Sequence, residues 1–405
     1  MLKLPKSQLL ANKTIQISGS KSESNRLLIL QKLWESFTID NLSNAQDTAL
    51  LQEALATDNT VIDIHHAGTA MRFLTSYFAV QEGCTITLTG AQRMKERPIH
   101  HLVTALRDLG ADIVYLENEG FPPLQIHGKK LTKHKVSIPA HISSQFITSL
   151  MLIGTTMEHG LELHLVGAIT SRPYLEMTVK LIASIIGENI TFEDNTIRIL
   201  PTQEALPIQN FTVESDWSSA SYFYSLAAIG RENIQLNHFK RNSLQGDSAL
   251  VNLYESYFGI TTNFSNESTI TLSPLEHFTF PERIVLDMND CPDIAQTLCV
   301  TAAAMKIHFK ISGLATLKVK ETDRLVALQN ELLKIGVKTH ITKDSIESLA
   351  FSEVENPISI ATYNDHRMAM SFAPYALIQA LEIQNPEVVE KSYPDFWKDF
   401  FAIVK

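Results

Sequence analysis

The sequence predicts an α/β protein of two domains, and three observations carry that prediction. The chain has 405 residues, more than a single hydrophobic core organises. Apolar residues make up 44% and charged residues 19%, a globular composition without a disordered or coiled-coil signature. The third observation is a weak repeat in which an apolar helix, a glycine and an alternating strand follow one another. It reads ALRDLGADIVYL, LIASIIGENITF, LYESYFGITTNF and ELLKIGVKTHIT, with Gly110, Gly187, Gly259 and Gly336 spaced 77, 72 and 77 residues apart. A glycine just past a helix is a left-handed cap from which a strand returns. A repeat of this length exceeds a solenoid unit and holds two helices and several strands, a βαβ-rich module.

The elements follow in order. Alternating or β-rich residues predict strands at 14–18, 85–89, 161–165, 196–200 and 269–272. Helical periodicity predicts helices at 25–33 after a serine-rich turn, at 72–80, and at 99–109 behind Pro98, which suits a first helical turn. Further helices are predicted at 144–153, 174–186, 218–228, 323–335 and 368–379. No Gly/Ser-rich linker separates the halves, so domain boundaries rest on the repeats.

Bulk charge narrows the partners. With 34 basic against 44 acidic residues the net charge is −10, which argues against nucleic acid or an anionic membrane. Cys84, Cys291 and Cys299 are an odd set without metal-ligand spacing, read as free and mostly buried thiols in a reducing compartment. The paired histidines His65, His66, His100 and His101 also lack ligand spacing, so no metal is expected. MLKLPKSQLL is too interrupted for a signal peptide and no run is long enough to span a bilayer, which predicts a cytoplasmic protein.

Against this acidic background, six predicted helices open with basic residues, in GSKSESNR (Lys21, Arg26), AGTAMR (Arg72), KERPI (Lys95, Arg97), TSRPY (Arg172), KVKETDR (Lys318, Lys320, Arg324) and NDHRMAM (Arg367). A helix start carries partial positive charge and unpaired N–H groups, so repeated cations there call for an anion between cation and helix. Six such starts predict a pocket for a small ligand with several negative charges. HISSQF adds Ser143, Ser144 and Gln145, neutral donors suited to a phosphate or hydroxyl, and Ser171 and Tyr174 repeat that logic. Gly68 lets a ligand approach the backbone closely. In an anion pocket Asp293 and Glu321 become acid–base candidates, although a cap and a surface ion pair are their ordinary readings.

GSKSESNR, AGTAMR, RMKERPI, SSQF, SRPY, VKETDRL, NDHRMAM and the tail KSYPDF, in this order and spanning residues 19 to 396, resemble the 5-enolpyruvylshikimate-3-phosphate synthase family (3-phosphoshikimate 1-carboxyvinyltransferases). The resemblance implies a two-domain inside-out α/β barrel, each domain built from three βαβαββ repeats. Residues 20–213 would form the first domain, on the shikimate 3-phosphate side, and residues 1–19 with 214–405 the second, with the active site in the cleft between them. It implies transfer of the enolpyruvyl group of phosphoenolpyruvate to the 5-hydroxyl of shikimate 3-phosphate, with phosphate released and no cofactor or metal, by a monomer. By motif position Lys21, Ser22, Arg26, Ser143, Ser144, Gln145, Ser171, Tyr174, Asp293 and Lys320 would hold shikimate 3-phosphate. Lys21, Gly68, Arg97, Gln145, Arg324, Arg367 and Lys391 would hold phosphoenolpyruvate, and Lys21, Asp293, Glu321 and Lys391 would carry the chemistry.

The chain departs from the family pattern at His66, where asparagine is usual, at Phe73, where proline is usual, and near Thr316, where an asparagine is expected. The first two are expected to shift affinity for phosphoenolpyruvate and for the inhibitor glyphosate without abolishing turnover. Two alternatives stand beside this reading. One is the sister transferase acting on UDP-N-acetylglucosamine, whose reactive cysteine is missing from TGAQRMKERPI. The other is a non-catalytic sugar-phosphate-binding protein, which would not need Asp293 and Glu321 together.

Overall fold

Gly110, Gly187, Gly259 and Gly336 all take positive φ in the computed structural model, at 109°, 71°, 61° and 84°, and each is followed at once or within three residues by a strand. The structure describes residues 1–405 except 36, 203, 205, 208, 209, 266, 267, 355 and 356. Each glycine marks one complete copy of the same sheet. In every copy two parallel strands are followed by two antiparallel ones, and the last strand in sequence pairs between the second and the third.

The chain forms two compact units: Gly19–Val213, here called the inserted unit, and Met1–Ser18 with Glu214–Lys405, the split unit. In the inserted unit Val61–Asp63 runs parallel to Thr85–Thr89, which pairs with Leu124–His127 and through it with Asp112–Tyr115. Lys135–Pro139, Leu161–Val166, Thr196–Ile199 and Ile190–Glu193 repeat the scheme. In the split unit it recurs with Arg283–Asp287, His308–Ser312, Ile346–Phe351 and Val337–Ile341. The other complete copy takes its first strand from the amino-terminal segment, since Lys13–Ile15 runs parallel to Ile234–Asn237.

The third repeat of each unit is abbreviated. Among the described residues, Asn210–Thr212 and Thr38–Asp40 keep only the opening parallel pair. Ile358–Ile360 and Leu381–Ile383 keep that pair and gain Leu2–Leu4 as an antiparallel neighbour. No helix–glycine–strand signal marks these copies, because they lack the strand that such a glycine introduces.

Helices occupy the interior of each unit and sheets its outside, the inverse of an ordinary α/β barrel. All twelve residues of the helix Gly68–Ala79 are buried, as are all seven of His366–Phe372. The strands instead alternate, as in Leu161–Val166, with one face inward and one toward solvent. A helix apolar on every side is stable only when covered on every side. This also explains one helix that periodicity left out: Ala295–Ala304 is almost wholly buried and so has no polar stripe to reveal it. Two predicted elements are shorter than expected. The strand at 14–18 spans Lys13–Ile15, and the helix at 368–379 spans His366–Phe372 before tightening into a 3-10 turn at Ala373–Leu377, where Pro374 has no N–H to continue the α-helical ladder.

Candidate active-site residues in the two units

In the inserted unit the buried guanidiniums of Arg26 and Arg72 donate to hydroxyl and carbonyl groups, whereas Lys21 meets a carboxylate. Ser20 caps the helix Lys21–Trp34, its hydroxyl accepting from the Glu23 N–H at 3.4 Å. Lys21 reaches Asp47 at 3.2 Å, while Ser22 lies in the same first turn and its carbonyl accepts from Arg26 at 2.6 Å. Arg26 is in the second turn, not at the helix start, and is 2% exposed. Its other N–H groups donate to Thr178 Oγ1 at 2.8 Å, the Tyr174 carbonyl at 3.3 Å and Thr148 Oγ1 at 3.4 Å. The guanidinium carbon lies 5.8 Å from the Phe73 ring centroid and 6.0 Å from that of Tyr174. Burial pulls the Arg26 guanidinium down to about 10, because this surrounding compensates its charge poorly.

The strongest anion-binding geometry centres on Gly68, the first residue of its helix, which has no side-chain cap. A Cβ there would stand 2.6 Å from Arg72 Nη1 and 2.6 Å from Arg97 Nη1. Two guanidiniums therefore converge on one uncapped helix start, and only a glycine leaves them room. Arg72 donates to the Gly68 carbonyl at 2.6 Å. The Arg97 Nε is buried without a hydrogen-bond partner. Like charges brought together beside free N–H groups form an arrangement that an anion completes.

Polar helix starts lie in the same unit. Ser143 caps Ser144–Gly154 by accepting from the Gln145 N–H at 3.3 Å, Ser144 is its first residue, and Gln145 Nε2 donates to Thr69 Oγ1 at 3.2 Å. Ser171 precedes Arg172–Ile186 in a left-handed conformation, φ 54° and ψ 43°, and its hydroxyl makes no capping bond. Two other basic residues of the opening pattern are surface pairs, Lys95 with Glu117 and Arg172 with Glu176, and so is the nearby Arg93 with Glu96. Arg93 and Lys95 close the short helix Gln92–Lys95 instead of opening the next one, which begins at His100. There a cation is favourable and needs no anion.

In the split unit the cations are already matched by carboxylates. Asp293 lies in the turn Pro292–Ile294 and caps nothing; its carboxylate meets Arg324 at 2.9 Å, Lys320 at 3.3 Å and Arg367 at 3.5 Å. Glu321 meets Lys391 at 2.7 Å and Arg324 at 2.8 Å. Arg324 is 2% exposed, and its Nε donates to Asp365 at 2.6 Å. One buried guanidinium thus joins three carboxylates, two of which have a lysine of their own. Burial by itself would raise the Asp293 carboxyl, but Lys320, Arg367 and Arg324 outweigh it and hold the group far below the carboxylate range. Burial lowers Lys320, with Asp293 opposing.

Pattern reading did not single out Asp365, Ser218 or Asp247 as site residues. Asp365 reads as a cap and is one, accepting from the Arg367 N–H at 2.9 Å, but its other oxygen holds Arg324. Ser218 accepts from Arg367 at 3.2 Å and donates to Asp247. Nothing local in LQGDSAL shows that its aspartate meets a helix start 29 residues earlier in the sequence.

Solved structures share this architecture. EPSP synthase from Acinetobacter baumannii matches with a TM-score of 0.74 at 20% identity, covering 100% of this chain and 99% of that one. The enolpyruvyl transferase NikO from Streptomyces tendae matches with a TM-score of 0.75 at 12% identity, covering 100% and 98%. These likenesses define the class of fold, the two-domain inside-out α/β barrel of the enolpyruvyl transferases. Sequence is more specific. The family model described as EPSP synthase (3-phosphoshikimate 1-carboxyvinyltransferase) matches residues 49–400. A 3-phosphoshikimate 1-carboxyvinyltransferase of Bacteroides fragilis (strain YCH46) is 44% identical over 95% of this chain and 94% of its own length. One from Haemophilus influenzae (strain Rd) is 34% identical over 96% of each. The chain belongs to the EPSP synthase family.

Proposed function

We propose that this chain transfers the enolpyruvyl group of phosphoenolpyruvate to the 5-hydroxyl of shikimate 3-phosphate, as a cytoplasmic monomer, with proton transfer centred on the split unit. The observation that carries this reading is the pair of carboxylate–lysine couples, Asp293 with Lys320 and Glu321 with Lys391, joined by Arg324. The reaction takes a proton from the hydroxyl, gives one to the methylene and takes one back from the methyl, and this cluster holds two acids in different settings. A sugar-phosphate carrier has no use for them.

The chemistry runs as addition and elimination. The 5-hydroxyl oxygen bonds to C2 of phosphoenolpyruvate while its proton leaves and the methylene carbon gains one. The tetrahedral intermediate then loses phosphate from C2 and a proton from the new methyl group, restoring the double bond. Asp293, which its cations keep ionised, orients the hydroxyl and takes its proton only as the new C–O bond makes that oxygen acidic, passing it on to the departing phosphate, with Lys21 assisting. Glu321 delivers a proton to the methylene and later removes one, its charge balanced by Lys391.

Binding falls to the remaining residues. Gly68 and Arg97 receive phosphoenolpyruvate, with Arg324, Arg367, Lys391, Lys21 and Gln145 completing its shell. Ser143, Ser144, Ser171 and Lys320 surround the 3-phosphate. Ser22 and Arg26 hold the carboxylate side of shikimate 3-phosphate, and Gln145 and Tyr174 flank its ring. Cations on both anions supply proximity and charge stabilisation.

The test is release of inorganic phosphate from phosphoenolpyruvate, offered either shikimate 3-phosphate or UDP-N-acetylglucosamine. Release with the first acceptor alone is expected. Release with the second alone, or binding of shikimate 3-phosphate without release, would overturn the reading.

A further inference from the structure

Among the side chains around Asp293, one buried acid has no part in the scheme above. Asp247 is 2% exposed and lies in the 3-10 turn Gly246–Ala249. Its Oδ2 accepts from the Ser218 hydroxyl, and the same Ser218 oxygen accepts from Arg367 Nη2 at 3.2 Å. The same Nη2 lies 3.5 Å from Asp293, so Ser218 and Asp293 share one nitrogen of the Arg367 guanidinium. A serine hydroxyl has one proton, and Asp247 claims it, so the Ser218 lone pairs face the arginine.

The segment that carries Asp247 is tied to the helix that carries Ser218. Gln245 Oε1 accepts from the Trp217 N–H at 2.9 Å, and Gln245 Nε2 donates to the Ser215 carbonyl at 2.9 Å. Ser243 donates to Glu214 at 2.5 Å, and Glu214 also accepts from Trp217 Nε1 at 2.8 Å and from the Lys240 N–H at 2.7 Å. These bonds compensate the buried Glu214 carboxylate and fix the segment 243–247 against the helix start that carries Ser218.

We infer that Asp247 and Ser218 are positioning residues that hold the Arg367 guanidinium in its phosphoenolpyruvate-binding orientation. The inference rests on the proposed role of Arg367. The groups facing Asp247 are Asp293 and Cys291 from the 291–294 turn, Arg367, and Asp216 and Ser218 at the helix start. Burial, then repulsion from Asp293, pushes the Asp247 carboxyl up to about 6. A raised carboxyl favours the fold most below the ordinary value near ~4, and that advantage is lost as pH rises through about 6. At neutral pH the ionised group therefore costs stability, as a carboxylate kept for function would.

Asp247→Asn, Ser218→Ala, their double variant and Arg367→Gln are compared by steady-state kinetics at pH 7.5. The KM for phosphoenolpyruvate should rise roughly tenfold in Asp247→Asn, the size of one lost charge-assisted hydrogen bond. Ser218→Ala should match it, and the double variant should be no worse, since the two act in series. The KM for shikimate 3-phosphate and kcat should stay close to wild type. The acid-side fall in kcat/KM for phosphoenolpyruvate should flatten in Asp247→Asn, and its melting temperature at pH 7.5 should not drop. If Arg367→Gln raises the KM while Asp247→Asn and Ser218→Ala do not, or if their effects add, the inference is wrong and the role of Arg367 stands. If Arg367→Gln leaves the KM unchanged, the underlying reading fails instead. Ser218→Ala alone decides the matter if Asp247→Asn does not fold, because it removes a single oxygen atom.

Discussion

The Gly68 helix start of the inserted unit brings two guanidiniums together, whereas the split unit sets each of its candidate-site cations against a carboxylate. Around Gly68 two guanidiniums converge on an uncapped helix start, and Arg26 donates to hydroxyls and carbonyls while burial lowers its pKa. In the split unit Lys320, Arg324, Arg367 and Lys391 each meet a carboxylate within 3.5 Å. Guanidiniums crowded together at a helix start gain most from an arriving anion, so the first arrangement suits binding. Cations already paired gain less, but they fix and tune the acids they touch, so the second suits proton transfer. Helix starts rich in basic residues look alike in sequence and serve different ends.

Several substitutions would break or sharpen that contrast. The largest effect is expected from Asp293→Asn, which keeps the shape and removes the charge that balances Lys320, Arg324 and Arg367. Single-turnover measurement should show the chemical step slowed about a hundredfold or more with both substrates still bound; an unchanged rate would remove Asp293 from the chemistry. Gly68→Ala comes next. Its methyl group would force apart the two guanidiniums, raising the KM for phosphoenolpyruvate about tenfold with little change in melting temperature. If binding is unaffected, the Gly68 start is not the anion site. The smallest effect belongs to Phe73→Leu, which keeps the 1% exposed position apolar but takes the ring from Arg26. A rise of about two- to fivefold in the KM for shikimate 3-phosphate is expected from a lost cation–π contact, and equal titration curves for the two proteins would show that the ring only fills space.

Much of this was legible in the sequence, for definite reasons. The glycine repeat marked the four complete sheets, because a left-handed cap leaves one residue type at a fixed place. The abbreviated repeats kept no such mark. Basic helix starts pointed to anions, yet the pattern could not separate Arg97, whose Nε lacks a partner, from Lys95, which forms a pair with Glu117. Pairing depends on residues distant in sequence, such as Asp293 and Arg324, 31 residues apart, or Glu321 and Lys391, 70 apart. Asp365 was hidden for another reason: its capping role accounted for its presence, while its second oxygen did something else.

The central claim, that the Gly68 start of the inserted unit binds phosphoenolpyruvate and the acids of the split unit move protons, is tested most directly by measuring kcat and KM for phosphoenolpyruvate in Arg97→Gln and Glu321→Gln. The account predicts that Arg97→Gln raises KM by roughly ten- to a hundredfold with kcat nearly kept, whereas Glu321→Gln lowers kcat by about a hundredfold or more with KM nearly kept. The opposite pattern, kcat lost in Arg97→Gln and only KM raised in Glu321→Gln, would contradict it.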